Sequence, residues 1–74
     1  MDNALTHRVR DLREDTDKTQ EQVARELGIH TTTYARWEQV PTTMKFPSII
    51  LLAKYYNVSI DYIAGLTNNK SKNW

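Results

Sequence analysis

Seventy-four residues with no cysteine make one domain, near the lower size limit for a core that holds without a metal, and exclude both a disulfide framework and a thiolate zinc site. A net charge of only +1 gives no blanket attraction to nucleic acid, and the longest apolar run, Ile49–Ala53, is far too short to cross a bilayer. The charge is uneven, however: residues 1–27 carry five Lys/Arg against seven Asp/Glu, a net −2, and residues 28–74 carry five against two, a net +3. Such asymmetry also suits an ordinary solvated face, so it supports a basic partner surface only modestly. The N-terminal MDNALTHRVRD lacks the apolar core of a signal peptide; with the missing cysteines, this leads us to expect a cytoplasmic protein.

Taken in order, the spacing predicts a first helix from near Asn3, capped by Asn3 or Asp2, to about Asp15. Leu5, Val9 and Leu12 form its inner stripe, with His7, Arg8, Arg10 and Glu14 outward. Thr16-Asp17-Lys18 is a polar turn in which Asp17 tolerates a left-handed backbone. Thr19 then caps a second helix, and Gln22 three residues on completes a capping box. Val23, Ala24 and Leu27 share one apolar stripe, and Gly28 stands where the chain must stop and turn. A third helix, Thr31 to Gln39, sets Tyr34 and Trp37 on one face and leaves Thr31, Thr32, Thr33 and Arg36 on the other. A short rod that is polar and cationic outside, and buttressed by aromatics beneath, is suited to insertion into the DNA major groove.

Gln39–Met44 reads as a loop, because Pro41 cannot continue a helix. Pro47 suits the first turn of a fourth helix, whose Ile49, Ile50, Leu52, Ala53 and Tyr56 form the centre of the core. Asn57 is a left-handed stop, Ser59 caps a last short helix with Asp61 in its first turn, and Gly65 ends it. Ile60, Ile63 and Leu66 are expected to point inward. Residues 1–66 form the domain, and the polar tail, 67–74, frays apart from its terminal Trp74. No period-2 alternation argues for strands. The expectation is five helices packed as one compact all-α domain.

These residues carry a resemblance. Leu12-Arg13, Thr19-Gln20, Ala24, Leu27-Gly28-Ile29, Trp37-Glu38, Leu52-Ala53 and Asn57-Val58-Ser59-Ile60-Asp61 stand in the order and spacing of the Xre-type (Cro and phage-repressor) helix-turn-helix family. The chain resembles that family from about Leu5 to Leu66. The resemblance implies a lambda-repressor-like fold with the helix-turn-helix at the second and third helices. It implies that Gln20 clamps a phosphate or braces the recognition helix, that Thr31, Thr32 and Arg36 face base edges, and that Thr33 lies nearer the sugar-phosphate backbone. It also implies that Arg13 and Glu38 pair, tying the first helix to the end of the third. Three features depart from the pattern. Gln39-Val40-Pro41 replaces the usual glycine after Trp37-Glu38, and Lys45 is the only cation of a loop that commonly supplies phosphate contacts. Lys18 also sits before the Thr19 cap, where an apolar residue is usual.

Each signal has a plainer reading. Tyr34 and Trp37 are core residues with no contact to DNA, and Ala24 and Gly28 support the motif structurally. His30 reads equally as a phosphate contact or as an exposed turn residue. Threonine can bond several bases or lay its methyl group on thymine, but it cannot make the bidentate pairings of arginine or glutamine. Arg36 is the best candidate to read a guanine; its rival role is a phosphate contact that shifts affinity evenly across sequences. For Arg13–Glu38 the sober alternative is an exposed pair contributing about 0–1 kcal/mol. Tyr55, Tyr56 and Tyr62 suit a dimer surface or plain helix packing.

The reading is a sequence-specific DNA-binding regulator of repressor type. It would be a homodimer on a palindromic site, joined through the fifth helix and the tail. Two rivals stand beside it: an antitoxin or restriction-controller regulator of the same fold, and a protein-interaction module that has lost DNA binding. His7 and His30 have no metal-ligand spacing, and Gly28 and Gly65 cannot build a phosphate-cradling loop. Ser48, Ser59 and Ser71 lack a nucleophile elbow. No catalytic residue, cofactor, metal or small-molecule substrate is therefore expected.

Overall fold

Each turn of the chain falls where the sequence supplies a residue able to reverse it. The computed structural model describes residues 4–72 and 74, with side chains from Arg8 on. The expected Asp2 or Asn3 cap and the orientations of Leu5 and His7 lie outside that range. Five helices follow one another: α1 (Ala4–Asp15), α2 (Gln20–Leu27), α3 (Thr31–Gln39), α4 (Phe46–Tyr56) and α5 (Ile60–Ala64). Among the described residues there is no strand.

Asp17 takes φ 58° between α1 and α2, and Asn57 takes φ 61° after α4. Both are residue types that tolerate the left-handed region. Thr19 begins α2 with a complete capping box, its hydroxyl accepting from the Gln22 amide at 3.1 Å while the Gln22 side chain accepts from the Thr19 amide at 2.8 Å. Gly28 ends α2 at φ 73°. A Cβ there would touch nothing within 4 Å, so the backbone angle alone reserves the position for glycine. Ser59 caps α5 by accepting from the Tyr62 amide at 2.9 Å.

The core joins all five helices: Val9 and Leu12 of α1, Val23 and Ala24 of α2, Tyr34 and Trp37 of α3, Leu52 and Ala53 of α4, then Val58 and Ile63. Within α4, Leu52 and Ala53 are fully inside, whereas Ile49, Ile50 and Tyr56 sit at its margin. Lys18 donates to Glu26 at 2.8 Å and to the Tyr55 hydroxyl at 3.1 Å, joining the first turn, the end of α2 and the end of α4.

Four expectations need correction. Residues 41–43 form a 3-10 turn rather than open loop. It ends α3 without a glycine: the Val40 amide still donates to the Arg36 carbonyl, and Thr43 donates to Val40 through its amide at 3.0 Å and its hydroxyl at 2.8 Å. Leu66 is 78% exposed, because Gly65 turns the chain outward before it. Arg8 is buried, not outward. Its guanidinium donates to the carbonyls of Tyr62 at 2.7 Å and Thr67, and to Asn68 Oδ1 at 2.6 Å, and lies 4.4 Å from the Tyr62 ring centroid. The tail, finally, is fastened rather than frayed. Ser59 donates to Lys70 O through its amide and to Asn69 O through its hydroxyl, both at 3.0 Å, and Trp74 Nε1 donates to Val58 O at 2.9 Å.

Candidate nucleic-acid interface

The third helix is presented by what lies beneath it. Tyr34 has no exposed surface and Trp37 little; their rings meet edge to face with centroids 6.3 Å apart. The Tyr34 hydroxyl bonds the Tyr56 hydroxyl at 2.5 Å, holding α3 against α4. Burial pushes the Tyr34 phenol far up and the Tyr56 phenol up to about 12. Both stay neutral at physiological pH, so this contact brings no charge under the helix.

The C-terminal end of α3 is held by a second set of contacts. Glu38 is buried, and its carboxylate accepts from Arg13 Nε at 2.7 Å, Arg13 Nη2 at 3.3 Å and Gln20 Nε2 at 2.9 Å. Arg13 Nη1 donates to the Lys18 carbonyl at 2.9 Å. The bond to Glu38 leads the causes that raise the Arg13 pKa above its ordinary value. The pair is thus not an exposed one: it makes two hydrogen bonds with side chains 15% and 5% exposed, and ties α1 to the last turn of α3. Gln20 acts here as a brace, joining the first residue of α2 to the last turn of α3.

With both ends fixed, the opposite face of α3 is open. Thr31, Thr32, Thr33, Arg36 and Gln39 are exposed and Ala35 is half-buried. His30 precedes the helix in extended backbone, exposed, and its side chain caps nothing. Lys45 is exposed at the start of α4. Ala24 is buried where α2 packs on the core. The expected contact residues from Thr31 to Arg36 are thus all exposed, and His30 adjoins the N-terminal end of the helix. An open trough beside this face is lined by Arg10, Gln20, Ala35, Glu38 and Gln39. Arg10 and Gln39 were not singled out from the sequence. The signal for Gln39 was there, since it follows Ala35 by four residues and Arg36 by three.

A polar face on a short helix, reached through a tight turn from a helix that braces it, is the arrangement of a helix-turn-helix unit. The chain matches the helix-turn-helix family over residues 9–63. It belongs to that family. Among its relatives is the HTH-type transcriptional regulator YobD of Bacillus subtilis, 37% identical over 62 residues, which are 84% of this chain and 55% of YobD. Another is the cryptic phage CTXphi transcriptional repressor RstR of Vibrio cholerae, 38% identical over 56 residues, which are 76% of this chain and 50% of RstR. The chain spans about half the length of the curated relatives it matches. No solved structure matches it significantly. Membership covers both helices of the motif and all the braces described above.

Proposed function

We propose that this chain is a sequence-specific DNA-binding transcriptional regulator of repressor type, with α3 lying in the major groove. One observation carries the reading: Thr31, Thr32, Thr33 and Arg36 are all exposed on a helix whose Tyr34, Trp37 and Glu38 are all buried. The helix can therefore enter a groove without unpacking the core. Thr31, Thr32 and Arg36 face base edges, Arg36 being the residue that reads a guanine, while His30, Thr33, Gln20 and Lys45 lie towards the sugar-phosphate backbone.

The protein acts as a homodimer on a palindromic operator. One domain carries a single such helix, α3, and so offers one half-site, whereas a palindrome presents two about 34 Å apart on one face. Leu66, 78% exposed, and Trp74, 47% exposed, give the end of α5 and the tail an apolar surface suited to the interface. The names of the relatives support the regulatory reading, YobD being named as a transcriptional regulator and RstR as a transcriptional repressor.

Selection of random duplexes by the purified protein, followed by sequencing, tests this reading. It should return an inverted repeat, and Arg36→Ala should lose one preferred base pair, worth roughly 1–3 kcal/mol of discrimination. No saturable binding to any duplex at about 50 mM salt would instead support the protein-interaction module.

A further inference from the structure

The fourth helix is apolar on both sides, although only one of them meets the core. Its sequence, FPSIILLAKYY, has one charged residue in eleven, Lys54. Leu52 and Ala53 are buried, and Ile49, Tyr55 and Tyr56 pack against the same core. Phe46, Pro47, Ile50 and Leu51 stand at i, i+1, i+4 and i+5, so they share the other side in two adjoining rows. Phe46 is 62% exposed and Leu51 39%, while Pro47 is exposed and Ile50 half-buried. A surface helix ordinarily turns polar side chains to water; one that is apolar all round has its outer side covered. From Phe46 to Lys54 the stripe is about 12 Å long, enough for roughly two turns of a helix laid along it.

The charges around the stripe indicate its occupant. Lys54 closes the C-terminal end, three residues after Leu51 and four after Ile50. Its ammonium lies 5.9 Å from the Trp74 ring centroid, and that of Lys72 lies 5.4 Å from the same ring. Two cations thus share one indole that is 47% exposed, and among the described residues neither has a carboxylate within ion-pair distance. Lys45 stands just before Phe46 at the other end, and α4 itself carries no acid. A second copy therefore fits poorly. Laid parallel it would set Lys54 against Lys54, and laid antiparallel about Ile50 it would set Lys54 beside Lys45. We propose that the outer side of α4 is a docking surface for an amphipathic helix of another protein, one whose apolar stripe is bordered by Asp or Glu. The apolar rows give the contact area, and Lys54 with Lys72 at one end fixes the direction in which the helix lies. The exposed residues of α3 take no part, so this inference stands apart from the reading of α3.

The probe is a lactam-locked helical peptide about as long as α4, with leucines at i, i+3, i+4 and i+7 and glutamates on either side of them; locking removes most of the cost of ordering it. Two control peptides carry lysines in place of the glutamates, or the same composition in scrambled order. Fluorescence anisotropy of each labelled peptide is titrated with wild type, Phe46→Ser, Leu51→Gln and the double variant Lys54→Glu with Lys72→Glu. The glutamate peptide should bind wild type saturably and more tightly than either control. Phe46→Ser and Leu51→Gln should each weaken it about tenfold, with a thermal melt like that of wild type because both side chains are exposed. The double lysine variant should reverse the preference between glutamate and lysine peptides. Equal binding of those two peptides to wild type, or no binding of the glutamate peptide, would overturn the proposal, as would wild-type affinity in both apolar variants. Sedimentation and vesicle flotation address the other occupants. Self-association lost in Leu51→Gln would make the stripe a contact between copies, and binding to phosphatidylserine vesicles lost in Phe46→Ser would make it a lipid contact; either result overturns the assignment to a helix.

Discussion

Arg13 and Glu38 meet through two hydrogen bonds, 2.7 and 3.3 Å long, with their side chains 15% and 5% exposed, so that α1 holds the last turn of α3 from below. Removing one partner of such a pair leaves the other charge without compensation in a place that water barely reaches. Arg13→Ala should cost about 3 kcal/mol, the low end for a buried pair, because Arg13 keeps some solvent contact. Arg13→Met with Glu38→Met should cost clearly less than the two single changes together. Urea unfolding of the four proteins measures the coupling. Single-variant losses under about 1 kcal/mol would return the pair to the exposed class.

Gly28 isolates a backbone effect from a packing effect. A methyl group at this position meets nothing within 4 Å, yet the residue sits at φ 73°. Gly28→Ala should therefore destabilise by about 1–2 kcal/mol through the left-handed angle alone. Gly28→Asn should cost less, because asparagine tolerates that region, as Asn57 does here at φ 61°. Equal losses in the two variants would point to something other than the angle.

The hydroxyl pair of Tyr34 and Tyr56 makes the fold sensitive to alkali. Burial raises both phenols, Tyr56 to about 12, against about 10 in an unfolded chain. Below pH 10 both states keep the proton and the contribution is complete. Between pH 10 and 12 the unfolded chain ionises first, so stability falls as pH rises through the folded value. Lys18, raised to about 12 chiefly by its hydrogen bond to Glu26, adds to the same slope. Melting temperature should thus drop between pH 10 and 12, and Tyr56→Phe should flatten that drop without abolishing it. An unchanged slope in Tyr56→Phe would remove the phenol from the account.

What was legible in the chain was local. The Thr19–Gln22 box, the stops at Gly28, Asn57 and Gly65, the Ser59 cap and the limits of α3 all depend on residues a few positions apart, and all are present. The inner and outer sides of α3 were legible for the same reason, since two large aromatics three apart, Tyr34 and Trp37, stand against a polar remainder; period alone would have set Thr33 beside Trp37. Arg8 could not be read that way. Its partners lie 54 to 60 residues away, in α5 and the tail, and helical period says nothing about which distant carbonyls will need a donor. The fastened tail was missed with it, because a run of Asn, Lys and Ser shows no pattern until its backbone finds Ser59. The trough escaped too, since it needs α1, α2 and α3 in place before Arg10, Gln20 and Gln39 line one space.

Arg8 supplies the last prediction. Its planar guanidinium serves two carbonyls and one amide oxygen at once and stacks on Tyr62, a geometry that an ammonium group cannot reproduce. Arg8→Lys should therefore fail to restore what Arg8→Met loses, roughly 2–4 kcal/mol, given more than one hydrogen bond to a charged donor. The first consequence is release of the tail. Trp74 is 47% exposed and held by its indole N–H to Val58, whereas Trp37 is buried, so only Trp74 can respond to that release. Its fluorescence should shift to the red and become open to iodide quenching in Arg8→Met, below the unfolding transition. If the tail bears the dimer surface, dimer affinity should fall in the same variant while a single half-site is still bound. A variant that keeps wild-type Trp74 fluorescence would mean that Ser59 and Val58 hold the tail unaided.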